Sequence, residues 1–387
     1  MLFAPSSIFV CEGLVTSFPG RARRGLRVPL FLLLLIFLGV SALAVRAQSA
    51  GQFEDLAARA AAARDQQDLP AAVSLYAQAV QVKPDWQEGW WYLGVLHYSA
   101  NNYPEAIDAF NHLLTLAPKA VPAMALRGLC EFETGSYEDA LRDLETAVGH
   151  GAANEPHNEE IIRTHLAQLL TRAGRFQDAL AQYKLLAAKN IQDPDLLVGL
   201  GLAGMRLSSL TKDVAEQNRA LFEAAGNAGY VLLGGDSQKA DAMFHALFEQ
   251  YPTAPNLHLF YGFLLFPHDP SLAIDQFQKE VVVAPDNMSA HALLAFSLMI
   301  AGRYAEAVPE AQRVLATQPD MEMAQLALGR SLAETGDVQH GTDLLNQILK
   351  NDPDNLEAHM GLASIYARAG RNEDAYRERM VCLRLAK

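Results

Sequence analysis

The sequence predicts an all-α fold, a solenoid built from antiparallel helix pairs, and three observations predict it. Half of the 387 residues are hydrophobic while only 8% are aromatic, which gives enough apolar surface for an extended core and too much for a disordered chain. Alanines return every 34 residues, at Ala72, Ala106 and Ala140 and again at Ala273 and Ala307, with the rhythm continuing through Gly341 to Ala375. Each period holds two amphipathic helical runs separated by a short polar turn and closed by proline. Length alone would suggest two or three domains, but a repeat array grows without that limit.

Taken from the N-terminus, the first element is an export signal. Arg21, Arg23, Arg24 and Arg27 precede an apolar run from Leu30 to Val45, followed by Val45-Arg46-Ala47-Gln48 with small residues where a signal peptidase reads. A charged start, a hydrophobic middle and a small-residue exit describe a secretory signal over residues 1–47. The run is about sixteen residues, between a signal core and the roughly twenty needed to span a bilayer. A cleaved signal is the expectation, and an uncleaved single-span anchor through residues 30–45 is its rival. Either arrangement places the body outside the cytoplasm, because the positive charge stays inside. Cys11 precedes the apolar run, so a lipid-modified N-terminus is not supported. The stretch 1–20 is long ahead of the arginines, which allows a later start.

The helix pairs follow. The first helix of a unit carries a small residue at its eighth position: Gly94, Gly128, Ala167, Ala295, Gly329 and Ala363. The second carries the periodic alanine and, four residues on, a bulky apolar residue: Tyr76, Phe110, Tyr183, Phe244, Phe277 and Leu345. Small residues let the two helices approach, and the bulky one fills the space beside them. Between the helices stands a residue that tolerates positive φ: Asn101, Gly135, Gly174, Gly235, Gly302, Gly336 and Gly370. Proline stops the second helix at Pro84, Pro118, Pro252, Pro285, Pro319 and Pro353.

These residues resemble the tetratricopeptide repeat (TPR) family. Trp90, Leu93, Gly94, Ala106, Phe110 and Pro118 occupy consensus places, and His97 stands at the tyrosine place. Units begin near residues 53, 87, 121, 160, 221, 254, 288, 322 and 356. The resemblance implies a right-handed superhelix. It divides the body into TPR-like repeats over 48–193, a degraded segment over 194–220, and further repeats over 221–387. An insertion of about five residues, Asn154–Glu159, precedes the fourth unit; Leu207–Lys212 reads as a loop; and the unit near 254 has a short turn at Pro267-His268-Asp269-Pro270. Arg379 stands where a core aromatic is usual, as suits a terminal helix.

In the resembled family the first helices of successive units line a concave groove that holds peptides. Carried over residue by residue, the groove positions here are Trp91, Val95 and Tyr98, then Leu129 and Phe132, then Phe296 and Met299, with Ile300 beside them. The competing reading packs some of these between helices. Trp91 is the strongest candidate, because Trp90 and Trp91 are adjacent and cannot both face one core. Some relatives grip a C-terminal carboxylate with Lys and Asn at groove places; Val95 and Leu129 stand there instead, which argues against that clamp. Arg172, Arg330 and Arg368 count toward the groove, though isolated arginines on a solenoid are commonly solvated.

Other chemistries are argued against. Without its first 47 residues the chain has 26 basic and 43 acidic side chains, and so acid a body with no basic stripe does not suit nucleic acid. Gly199-Leu200-Gly201-Leu202-Ala203-Gly204 spells a dinucleotide fingerprint, but it lies within a helical pattern with no preceding strand. No HExxH, GxSxG or GxxxxGK occurs among the residues, and His150, His157 and His165 with Glu159 and Glu160 form only a loose cluster. Cys130 and Cys382 read as buried free thiols. No cofactor, metal or enzymatic activity is expected; the reading is a binding scaffold for a protein or peptide. A ligand-binding or catalytic role in 195–236 is the remaining alternative, and that segment contains neither His nor Cys.

Overall fold

The computed structural model describes residues 50–152, 156–189 and 193–386. The signal or anchor assigned to residues 1–47, with its apolar run 30–45, lies outside the described residues. Within them the protein is helical, with no strand, and it separates into two compact units at Trp86.

The first unit contains α1 (50–65) and α2 (Leu69–Val82). Asp68 caps α2 by accepting from the Ala71 amide, and Pro70 sits in the first turn, where the missing N–H costs nothing. Tyr76 is buried and stacks at 5.7 Å on Trp86, which meets Phe53 edge-on at 5.1 Å.

The second unit holds α3 (Gln87–Ser99), α4 (Tyr103–Leu116), α5 (Val121–Thr134), α6 (Tyr137–Gly149), α7 (Pro156–Arg172), α8 (Phe176–Ala187) and α9 (Pro194–Gly204). It continues with α10 (Glu216–Leu233), α11 (Ser237–Gln250), α12 (Leu257–Leu265), α13 (Pro270–Val283), α14 (Met288–Ile300) and α15 (Tyr304–Leu315). It closes with α16 (Glu322–Thr335), α17 (Val338–Asn351), α18 (Leu356–Arg368) and α19 (Asn372–Leu385). Sequential helices pack pairwise as α3 on α4, α5 on α6 and α7 on α8; α10 packs on both α9 and α11, which shifts the register, and the pairs resume as α12 on α13, α14 on α15, α16 on α17 and α18 on α19, each meeting the next. This is the all-α solenoid class read from the periodicity.

The repeat chemistry has physical counterparts at each place. All seven predicted turn residues have positive φ, and Asn101 (φ 58°) is the only non-glycine among them. The residue before the helix-stopping proline is driven out of the α region at Lys83, Ala117, Tyr251, Ala284 and Asp352, with φ near −130°. Every periodic alanine is buried. The glycines work in two ways. A Cβ on Gly94 would lie 2.5 Å from the Phe110 ring, so there the glycine makes room for the bulky partner. A Cβ on Gly341 would lie 2.4 Å from the Gly329 carbonyl oxygen, so there backbone meets backbone.

A repeated polar clasp fixes the proline turn ahead of a pair's first helix. His291 Nε2 lies 2.9 Å from the Pro285 carbonyl oxygen and Nδ1 lies 2.5 Å from Glu310. His359 does the same with Pro353 and Glu378, at 3.0 and 2.5 Å. Gln325, midway between them in register, donates to the Pro319 carbonyl at 2.7 Å. Each satisfies a carbonyl orphaned beside a helix-stopping proline.

The degraded segment is taken up by α9 and α10, joined by residues 205–215 with one 3-10 turn at Thr211–Asp213. The GxGxxG run forms most of α9. Built Cβ atoms on Gly201 and Gly226 would fall 2.0 Å from the Phe222 carbonyl oxygen and 1.8 Å from that of Leu197. The glycines therefore serve helix–helix contact, and no phosphate-cradling turn exists there. One finer expectation needs correcting. Cys130 is fully buried, with burial pushing its thiol up to about 12, but Cys382 is only partly covered, because α19 buries Ala375 alone. The insertion before the fourth unit is taken up in part by a longer helix: α7 begins at Pro156 and runs a turn longer than its counterparts.

Candidate functional site

On α3, Trp91, Val95 and Tyr98 stand four and three residues apart and so form one stripe. Their neighbours face elsewhere. Trp90 is buried and stacks on His112 at 4.2 Å, while Trp91 stays part-exposed against Phe110. This settles how two adjacent tryptophans are used: one in the core, one beside it.

The α3 stripe forms one wall of a cavity of about 560 Å³. The facing wall is α5, through Val121, Pro122, Ala125, Leu126 and Leu129, and the third is α7, through Asn158, Ile161 and Ile162. His150, Gly151 and Ala152, leading out of α6, complete it. The structure thus brings four of the seven sequence-derived residues together: Trp91, Val95, Tyr98 and Leu129. Among the described residues, the lining holds no carboxylate and no ammonium or guanidinium group. His150 turns its Nδ1 back to the Thr146 carbonyl, at 2.8 Å. The Tyr98 phenol is pushed up, first by burial and then by Cys130, Tyr103 and Glu133, so it remains a neutral hydroxyl. A site of this composition suits bulky apolar groups.

Phe132 lies beyond this lining. It is 6% exposed and packs edge-on to Tyr137 at 5.8 Å and to His165 at 4.6 Å. Burial holds the His165 imidazole below its ordinary value, and its Nδ1 donates to the Ile161 carbonyl at 2.7 Å. Lys212, from the 3-10 turn, sits 5.3 Å above both the Phe132 and Tyr137 rings, and Arg172 sits 4.5 Å above Tyr137. Thr211 donates to Gln168 at 3.3 Å. The irregular segment therefore reaches back over α5–α7 and occupies the groove past Leu129.

Phe296 and Met299 are not part of this cavity. Met299 is 4% exposed, and Phe296 is part-buried with its ring 6.3 Å from Phe266. Of the arginines counted toward the groove, Arg368 pairs with Glu334, and Arg330 has a buried Nε without a hydrogen-bond partner. The His150–Glu160 region holds no metal-binding group among the described residues; Glu159 is instead paired with Arg163 at 2.9 Å and with Lys189.

Behind the α5 wall lies an unbalanced charge cluster. Arg127 grips Asp143 with two hydrogen bonds of 2.6 and 2.8 Å and Asn111 with a third of 2.7 Å. Glu131 is left at 3.7 Å from the same guanidinium, buried, with Oε2 unpartnered. Burial, then Asp143, pushes its carboxyl up to about 7.

The lining residues missed by sequence reasoning include Val121, Pro122, Leu126, Asn158 and Ile161. The available signal was the insertion itself, since extending α7 carries Asn158 and Ile161 onto the wall.

A tetratricopeptide repeat family profile matches residues 57–121, 165–228, 267–322, 294–355 and 326–378, more than half of the chain. The chain belongs to the tetratricopeptide repeat family. A TPR repeat-containing protein of Methanocaldococcus jannaschii is 25% identical over 186 residues, covering 47% of this chain. The chain spans about a quarter, 26%, of that relative's length. Among solved structures, a MamA double mutant is similar at TM-score 0.38 and 17% identity, covering 44% of this chain and 96% of that one. A chain of the APC/C hetero-tetramer Cut9–Hcn1 is similar at TM-score 0.36 and 15% identity, covering 86% and 66%. Yeast Tom70 gives 0.29 and 13%, covering 87% and 91%. Likeness at this level says nothing about partners. Among the described residues no helix is long and apolar enough to cross a membrane.

Proposed function

We propose that this TPR protein is a non-enzymatic scaffold that holds a segment of a protein partner in the cavity between α3, α5 and α7. One observation carries the reading: a predominantly apolar cavity of about 560 Å³ with room for bulky side chains. The part-exposed Trp91 and Tyr98 supply large contact area at small entropic cost. We infer further that the scaffold works outside the cytoplasm, a reading supported by the arginines before the apolar run 30–45 and the small residues at Val45 and Ala47.

A photo-crosslinker at Val95 in the full chain tests the site. A defined partner should be captured, and capture should be lost on Trp91→Ala with Tyr98→Ala but kept on Arg142→Ala, an exposed change outside the cavity. Capture undiminished by the double change would overturn the groove assignment. For export, mass spectrometry of the N-terminus decides: a start at Gln48 in the soluble fraction supports cleavage, and an intact run 30–45 in the membrane fraction replaces it with the anchored form.

A further inference from the structure

The outer side of α19 is more apolar than its place in the array explains. Tyr376, Met380 and Leu383 stand four and three residues apart and so share one stripe, and Tyr376 and Leu383 are 64% and 61% exposed. Tyr376 is in register with Ile274, which the array buries. On the first helix of the same pair, Met360 is 53% exposed, whereas Leu326 and Ala292, one and two periods earlier, are buried. The face that each pair offers to the next is therefore open here. A solenoid end that meets only water is capped by polar side chains. The sequence does the reverse: Gln278, Gln312 and Asn346 hold one place in α13, α15 and α17, and Met380 holds it in α19. Bulky apolar groups gathered on an exposed face mark a surface that is covered in use.

The charges beside the stripe select its occupant. Glu373 in the first turn of α19 and Arg384 in the last lie about three helical turns apart and so flank the stripe on the same side. Asp374 holds both Arg371, at 2.6 Å, and Arg377, so Glu373 has no ion pair among the described residues. Arg384 meets only Asp354, at 3.1 Å, an exposed contact of little worth. When two such helices lie antiparallel about a twofold axis, a flank of one faces the same flank of the other. The register that brings Glu373 to the partner's Arg384, and Arg384 to the partner's Glu373, also interleaves the two stripes of Tyr376, Met380 and Leu383. A parallel arrangement would set Glu373 on Glu373 and Arg384 on Arg384. We propose that α19 is the contact surface for a second copy of this chain, through an antiparallel, isologous pairing of the two α19 helices. Such a pairing closes on itself and gives a dimer, not a filament. It does not depend on the groove reading, and it presents the α3–α5–α7 cavity twice.

Sedimentation velocity of the full chain over a dilution series tests this, with a monomer–dimer equilibrium as the expected result. Met380→Asp buries a carboxylate from each copy and should weaken the dimer by about a hundredfold or more. Glu373→Arg alone, or Arg384→Glu alone, replaces two attractive contacts with two repulsive ones and should weaken it about tenfold. The two charge changes together exchange the partners and should return the affinity to within about threefold of the original. Arg379, on the other flank, lies beside its own mate across the axis, so Arg379→Gln should pair at least as tightly as the unaltered chain. These side chains are exposed, and an unchanged thermal midpoint of each diluted, monomeric variant shows that folding is intact. A chain that stays monomeric at about 100 µM, or a dimer that Met380→Asp leaves untouched, overturns the proposal. So does a double charge exchange that fails to restore what the single changes lose, since only the antiparallel pairing of two copies makes each change the other's remedy.

Discussion

Glu131 offers the sharpest quantitative test of the interior. Its carboxyl shares one guanidinium with Asp143, and Arg127 has already committed two hydrogen bonds to Asp143. The folded chain raises the Glu131 value from its ordinary 4.5 to about 7. A raised value means the folded state holds this proton more tightly than the unfolded one. Stability is therefore lost as pH rises through the window from about 4.5 to 7, and the loss is complete above it. At about 1.4 kcal/mol for each pH unit, the ionised Glu131 costs up to about 3 kcal/mol at pH 8 and little at pH 5. Glu131→Gln keeps the shape and removes the charge. It should stabilise the α5–α6 pair by up to about 3 kcal/mol at pH 8 and by nearly nothing at pH 5. Repeat arrays open locally, so the proper assay is hydrogen exchange of α5 and α6 amides, corrected for intrinsic rates. Protection should rise by up to about a hundredfold at pH 8 only. An equal gain at both pH values, or none at either, would show that Arg127 neutralises both carboxylates and refute the reasoning.

Further predictions probe other elements. Gly201→Ala or Gly226→Ala places a methyl group against a carbonyl oxygen across α9 and α10, so each should cost about 3 kcal/mol or more, read as a lowered thermal midpoint. Gly135→Ala, with open space around it but φ 83°, should cost only about 1 kcal/mol. His291→Gln retains the donor to Pro285, as Gln325 does for Pro319, and should cost about 1 kcal/mol, against about 2–4 for His291→Ala, which strands both Pro285 and Glu310; urea unfolding separates the two. Cys130 should resist thiol reagents until the chain unfolds, while the part-covered Cys382 reacts in the native state, as peptide mapping of labelled protein would report.

The fold was legible because each repeat position answers a local physical demand. Ala106 must be small, Phe110 must fill, Asn101 must bear positive φ, and Pro118 must end the helix, and none of these depends on distant residues. The cavity was half legible for the same reason: Trp91, Val95, Tyr98 and Leu129 follow from counting along single helices. Counting fails where neighbours differ. Phe132 has the right register but is covered by Lys212 and His165, and no spacing rule could bring Lys212 there from eighty residues away. Met299 has the equivalent place on α14, where the surrounding helices simply bury it.

The irregular segment explains why one stretch of the groove is open and the next is not. A regular turn of two or three residues, as between α3 and α4 or α5 and α6, would have let α10 follow α9 with the groove uninterrupted. Instead, Gly201 and Gly226 bring α9 and α10 together at backbone distance, and the long connection 205–215 must find cover elsewhere. It finds it on the turn side of α5–α8: Thr211 on Gln168, Lys212 on Phe132 and Tyr137, Arg206 toward Phe176. The pattern break thus ends the cavity beyond Leu129. It leaves a compartment bounded by α3, α5 and the lengthened α7, short enough to select a few apolar side chains. Shortening 205–215 should uncover Phe132 and extend the compartment; if Phe132 stays inaccessible by hydroxyl-radical footprinting, α7 and Tyr137 alone close it.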